Sequence, residues 1–527
     1  MREVPADSLP AAGTDDVASP NRGRHERPRR RQLLFVGLLI ALILGTGAAW
    51  VLASSLGGGP DDDYHMGSIW CPRPVAESCQ VDVVDGKTQV LVPQPVALSS
   101  LCHRFKAEES ADCAVAMDNN KTAYTYRFDN GLYPRLYYRV QHALTVESVP
   151  TAVLSMRTLN VLIATVVLGT IGALLRREHR AAYALSMLGA WVPMGIYFIA
   201  SINPSAWSIV GVLAYAAGLF GSLTTEGRRR WVLLGLSVVG IIMTVGSRFD
   251  SPFYIFVISL ALVFAIPMSR RAIPQWTLAL APSVLAVIVS VLRWGGNITA
   301  VLQNKTDDSA LYSPRLLVET LIDLPRYLAG MVGRDYGPGW FDVPVPTSVQ
   351  LLAVVASFSV VFAGLRGGTW RKWLSSATIA GGLGGIPTAV VVVGLYPFLG
   401  HYQPRYILPL YAVLIFFMLA QQKEAPFSRI QLGVYGALIV FIHGYFLHSV
   451  LWRYVTGSAG ERPFNLNSTI EWWWDIPVSP MAVWVIGVAC FAGVVGMTLW
   501  WIVNRQEPAL VGRGNDAADS ASEGEVN

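Results

Sequence analysis

Six consecutive residues, Pro60-Asp61-Asp62-Asp63-Tyr64-His65, bring three carboxylates and an imidazole together a few positions beyond the first long apolar run. Like charges this close repel one another, so the cluster is cheap only where water reaches it. A carboxylate in this place can take a proton from a hydroxyl group. His65 could orient that carboxylate, bind phosphate or hold a metal. The preceding Gly57-Gly58-Gly59-Pro60 fits a tight turn that would fix the acids against a bilayer surface. It fits a plain solvated turn equally well, and only the elements that position the segment separate the two.

Those elements are membrane spans. Of 527 residues, 53% are hydrophobic and only 14% charged, which points to an all-α polytopic membrane protein rather than a soluble enzyme. The net charge of +5 says less than its distribution. The first apolar run, 32–53, is roughly 22 residues, or roughly 33 Å as a helix. That exceeds a signal-peptide core, although Ala49-Trp50-Val51 and Ala53-Ser54-Ser55 would pass as cleavage sites. Further apolar runs lie near 151–175, 180–200, 205–223, 231–247, 252–268, 276–292, 347–366, 374–394, 405–420, 430–450 and 480–503. The expectation is therefore about twelve spans.

Basic residues alternate between the connecting segments. Arg22, Arg24, Arg27, Arg29, Arg30 and Arg31 precede the first span. Arg176, Arg177 and Arg180, then Arg228–Arg230, Arg270 and Arg271, Arg371 and Lys372, and Lys423 with Arg429 fall on the same side. The turns at Ile202-Asn203-Pro204 and 247–251 carry few. The positive-inside rule then predicts a plasma-membrane protein with both termini in the cytoplasm. Three long segments, 54–150, 293–346 and 451–479, fall outside. Residues 1–31 and 504–527 read as disordered tails around one transmembrane domain, 32–503, with no internal repeat. Cys71, Cys79, Cys102 and Cys113 share the first outer segment. Two disulfides are expected there, most simply Cys71–Cys79 and Cys102–Cys113; two other pairings and a four-thiolate zinc site are the alternatives. Cys490, inside a span, reads as packing.

Outside the membrane there are no nucleotide sugars and no ATP, so a transferase there needs a lipid-delivered donor. Its chemistry asks for a carboxylate base, cations to stabilise a leaving phosphate, and an apolar groove for the lipid. Asp61 and Asp62 are the candidate bases, with Asp63 and His65 as substrate-binding neighbours. For phosphate, His401-Tyr402-Gln403-Pro404-Arg405-Tyr406 offers Arg405, flanked by His401, Gln403 and Tyr406, because arginine presents a bidentate fork. Arg248 and Arg334 are further candidates, and snorkelling to lipid headgroups is the competing use of each arginine. Residues 311–330 read as an amphipathic helix on the outer leaflet. Residues 337–344 read as a structured loop. Trp472-Trp473-Trp474 could stack on sugar or form an interfacial belt, and Asn203 can cap the helix after it. No phosphate-binding loop, dinucleotide fingerprint or nucleic-acid signal stands out.

Together these motifs resemble a group of uncharacterised polytopic membrane proteins, common in actinobacteria, that looks related to the GT-C glycosyltransferase superfamily. The group's Pro-Asp-Glu-x-x-His motif is matched by Pro60–His65, with Asp62 in place of Glu. Its outer turn resembles Ile202-Asn203-Pro204-Ser205. A Gly-Trp-x-Asp-x-Pro-x-Pro pattern is similar to Gly339–Pro346, and Gln-Gly-Arg-Tyr-x-x-Pro to Gln403–Pro409 with Pro404 in place of Gly. The likeness runs from about residue 33 to about residue 450 and leaves out the four cysteines. It implies a GT-C-like architecture and inverting transfer from a polyprenyl-phosphate sugar to an envelope glycan or lipoglycan. The base would come from the first outer loop, and a divalent cation, Mg or Mn, is an open requirement. The shorter side chain at position 62 moves the expected base to Asp61. A transporter or flippase of lipid-linked sugars is the alternative, and would place ionisable groups deep within the spans. An envelope polysaccharide polymerase or ligase would share the arginines but not need the acid.

Overall fold

The computed structural model describes residues 23–285, 288, 314–422 and 427–522. Much of the expected N-terminal tail, residues 293–313 of the second outer segment, and Lys423 lie outside these. Among the described residues, eight helices are long and apolar enough to cross a membrane. They are Arg30–Ala53, Val149–Leu174, Ser205–Thr224, Arg228–Ser247, Thr347–Gly364, Trp370–Val392, Arg429–Val455 and Pro480–Asn504. The other four expected spans differ for identifiable reasons. Pro252–Ala265 and Leu408–Ala420 are apolar but have 14 and 13 residues, short of the roughly 20 that a bilayer core asks of a helix. The run 180–200 is broken at Val192-Pro193 into Arg177–Trp191 and Met194–Ile199, since proline cannot supply the ladder N–H. The run 276–292 is only partly described. Helical backbone starts at Gly23 and, at the other end, continues to Ser522 through sequence whose composition had suggested a tail.

Ser205–Thr224 forms the centre of the bundle, buried along nearly its whole length, with Leu408–Ala420 beside it, each of whose residues is buried. Ser205–Thr224 lies close along Arg228–Ser247 because glycines face each other. A Cβ on Gly240 would stand 2.5 Å from the Tyr215 nitrogen, and one on Gly211 would stand 2.8 Å from the Gly240 oxygen. Between apolar helices in lipid, small residues allow the backbones to approach and gain dispersion contact. The first and last spans pack on each other at the periphery, with Cys490 against Gly45.

The segment after the first span is not purely helical. Helices Asp62–Trp70 and Gln94–His103 pack on a three-stranded antiparallel sheet, β1 (Val81–Val84), β2 (Lys87–Pro93) and β3 (Thr122–Thr125), in that order, and Arg135–His142 packs on Asp62–Trp70 and Arg228–Ser247. Val84 pairs with Lys87 around Asp85-Gly86, both at positive φ, the turn an Asp-Gly hairpin favours. The all-α expectation is corrected by this hairpin: alternating valines on either side of Asp-Gly carried the signal. Cys71–Cys79 and Cys102–Cys113 are disulfide-bonded, as in the simplest pairing, which leaves no thiolates for zinc.

Candidate functional site

All four motifs of the sequence meet at the turn that follows the first span. The Gly57 carbonyl accepts from Trp340 Nε1 (3.0 Å) and Ser100 Oγ (2.9 Å), and the Gly58 carbonyl accepts from the Tyr454 hydroxyl (2.5 Å). Asn203 Nδ2 donates to the Pro60 carbonyl (3.2 Å), while its Oδ1 accepts from the Ser205 nitrogen (2.9 Å), the expected cap. Gly57 is at φ 71°, where a Cβ would lie 2.6 Å from the Ser100 nitrogen, so the turn needs glycine there. Asp61 follows at φ 61°, a left-handed position that aspartate tolerates better than most residues.

The three adjacent acids end in different places. Asp62 opens the helix Asp62–Trp70 and is 1% exposed. Its Oδ2 accepts from the Gly59 nitrogen (2.8 Å) and lies 3.6 Å from Arg157, while its Oδ1 has no partner. Burial, against the pull of Arg157, pushes its pKa up to about 6. Asp63 is also buried, held by Arg104 (2.6 Å) and by Arg127 Nε and Nη2 (3.1 Å each). Asp61 alone keeps access, with a side chain 34% exposed. Its Oδ2 accepts from Arg405 (2.5 Å) and its Oδ1 from Arg127 (3.3 Å). Burial raises its pKa, but the charges of Arg405 and Arg127 outweigh that, and the net shift is downward. His65 is buried with Nδ1 3.0 Å from the Tyr138 hydroxyl; burial lowers its pKa to about 3, so the ring is neutral.

Arg405 is 5% exposed, and only its Nη2 is engaged, with Asp61 and, at 3.5 Å, the Tyr406 hydroxyl. Its Nε and Nη1 are buried without a hydrogen-bond partner, as is Gln403 Oε1. Both residues line a cavity of about 10 Å³ with Met194, Phe198, Gly330 and Tyr336, room for about one water. Three guanidinium hydrogens are thus held out of bulk water beside the accessible carboxylate, an arrangement suited to an incoming anion. The other candidates are differently placed. Arg248 spends Nε and Nη2 on Asp250 (2.9 and 2.8 Å) and covers the Tyr406 ring (3.9 Å), so its fork is already neutralised. Arg334 contacts Gln350 (3.0 Å) and Asp335 (3.4 Å), and the exposed His401 packs on Phe398. The structure therefore brings Asp61, Gln403, Arg405 and Tyr406 together and leaves Arg334 and His401 out of that group.

Sequence reasoning missed four arginines. Arg127 joins Asp61 to Asp63, and Arg104 supports Asp63. Arg157, the lone charge in its span, donates to the carbonyls of Val51, Ser54 and Ser55 (3.1, 2.7 and 2.9 Å), which end the first helix. Arg453 joins Asp342 (2.8 Å) to the carbonyls of His103, Lys106 and Glu109. A solitary arginine in an apolar helix is a recognisable signal; Arg104 and Arg127 carry none locally. Trp472 and Trp474 are buried, the latter donating to the Leu52 carbonyl (2.8 Å), so neither offers an open face for stacking, while Trp473 is half-buried. Among the described residues, no group of three or more His, Cys, Asp or Glu side chains is placed to hold a metal ion.

Compared with known proteins, residues 44–414 match the model of a family described as "Predicted membrane protein (DUF2142)". No match to the chain was found among curated proteins or among solved structures.

Proposed function

The chain belongs to this family of predicted membrane proteins, and from that premise and the site's geometry we propose that it is a glycosyltransferase working at the outer membrane face. The donor is a polyprenyl-phosphate sugar and the acceptor an envelope glycan or lipoglycan. One observation carries the reading: an accessible, ionised carboxylate, Asp61, stands against a buried arginine, Arg405, whose other N–H groups have no partner.

In the proposed step the acceptor hydroxyl gives its proton to Asp61 as its oxygen bonds the anomeric carbon. The anomeric carbon–oxygen bond to phosphate breaks on the opposite face, and the electron pair leaves with the phosphate, which Arg405 stabilises. The small cavity means that donor entry must loosen the Asp61–Arg405 contact, freeing both groups at once. Asp62 is too enclosed to reach an acceptor, and its role is to hold the turn. Against the transporter alternative, Arg157 and Arg453 spend their donors on carbonyls at helix ends and in the loop. The test is to offer the purified protein a panel of radiolabelled polyprenyl-phosphate sugars with envelope glycan acceptors. Inverted product, absent with Arg405→Ala, supports the reading. Export of lipid-linked sugar by vesicles without glycosidic product would overturn it.

A further inference from the structure

The helix Pro314–Ala329 has three faces. Thr320 and Tyr327 are buried toward the bundle, Arg315, Glu319, Asp323 and Arg326 are exposed, and Leu317, Val318, Leu321 and Ile322 form an exposed apolar stripe. This is the pattern of a helix lying in a membrane interface. Between it and Thr347–Gly364 runs a groove of about 360 Å³, lined by Leu321, Leu324, Pro325, Leu328, Val354 and Phe358 and closed by Ala329. Every lining side chain is apolar. The groove spans eight residues of helix, about 12 Å, and its volume falls within the range of small-ligand sites.

The next residue after Ala329 belongs to the Arg405 cavity. Gly330 lines that cavity, and a Cβ on it would lie 2.6 Å from Pro404, the neighbour of Arg405. The end of one helix thus joins an apolar groove to buried guanidinium donors that have no partner. A ligand that answers both has an anionic head and an apolar tail. We infer that groove and cavity together dock a single-chain lipid phosphate, a polyprenyl phosphate, with its chain along Leu321–Ala329 and its phosphate on Arg405. The exposed apolar stripe lets the chain enter sideways from the bilayer. This rests on the proposed donor, but it concerns binding and can be tested without turnover.

The experiment measures binding of a radiolabelled long-chain polyprenyl phosphate to the full-length protein in nanodiscs. Val354→Trp fills the groove, and Val355→Trp, on the exposed side of the same helix, controls for general damage. Each buried CH₂ contributes about fourfold in affinity. Val354→Trp should therefore weaken long-chain binding by about tenfold or more and leave a one-isoprenoid phosphate unaffected, while Val355→Trp changes neither. Arg405→Ala should weaken both ligands, and polyprenol lacking phosphate should compete poorly. Unchanged long-chain binding in Val354→Trp, or equal competition by diacyl phosphatidic acid or by inorganic phosphate, overturns the inference. Groove-dependent binding without sugar transfer would support the inference while sinking the proposed function.

Discussion

Two of the buried arginines that meet aspartates between the extramembrane segments and the helical bundle, Arg453 and Arg405, differ in what is left over. Arg453 is 0% exposed and spends all three nitrogens, on Asp342 and on the carbonyls of His103, Lys106 and Glu109. Arg405 is nearly as buried yet meets Asp61 through one nitrogen and leaves two unpartnered. An unmade hydrogen bond at a buried donor costs about 1–3 kcal/mol, so Arg405 is a poor structural fastening and Arg453 a good one. What the contrast teaches is that burial alone does not separate a brace from a binding group; satisfaction of the donors does.

The largest expected effect breaks the satisfied pair. Arg453→Ala strands Asp342 and several carbonyls and should cost about 3–5 kcal/mol, read as a drop in the unfolding midpoint of purified protein. A loss below about 1 kcal/mol would erase the contrast. Arg405→Ala should lower transfer by about 10²–10³, the usual scale for removing one charge-stabilising donor, with a much smaller change in midpoint because water can reach Asp61. If this variant unfolds as readily as Arg453→Ala, the two junctions are the same kind of object.

Smaller effects sharpen the picture at Asp61. Its pKa is held below the usual carboxylate value, so the base stays ionised into acidic solution. Arg127→Gln removes one of the charges that hold it down, so the acid limb of the pH–rate profile should move to higher pH. An unmoved limb would show that Asp61 is not the group titrating. Asp62 runs the other way. Its folded pKa, about 6 against 3.8, means that folding favours the protonated form. The resulting penalty is absent below about 3.8, grows as pH rises through about 6, and is full above it. Asp62→Asn should flatten the fall in unfolding midpoint between those pH values; a slope like that of wild type would contradict the assigned environment.

The spans were legible because apolar length is a local property, and eight of them stand where hydropathy put them. The broken run at Pro193 and the short helices were less so, because only neighbouring helices determine how much of each is covered. Asp61 and Arg405 could be read from charged residues at helix ends. Their meeting across 344 positions of sequence could not. The pairing of Arg248 with Asp250, two residues on, takes two of the nitrogens that a phosphate would use. The hairpin at Asp85-Gly86 is legible in its Asp-Gly turn between valine-bearing runs, a local signal that hydropathy averaged over membrane spans does not carry.

In the proposed mechanism Asp61, the accessible acid, is the base and Asp62, the enclosed one, holds the turn. Transfer of labelled sugar by purified wild type, Asp61→Asn and Asp62→Asn tests it directly. The expected result is at least about a hundredfold loss for Asp61→Asn, with folding and donor binding intact, and less than about tenfold loss for Asp62→Asn. Wild-type transfer by Asp61→Asn, or abolition by Asp62→Asn in a variant that still folds, would contradict it.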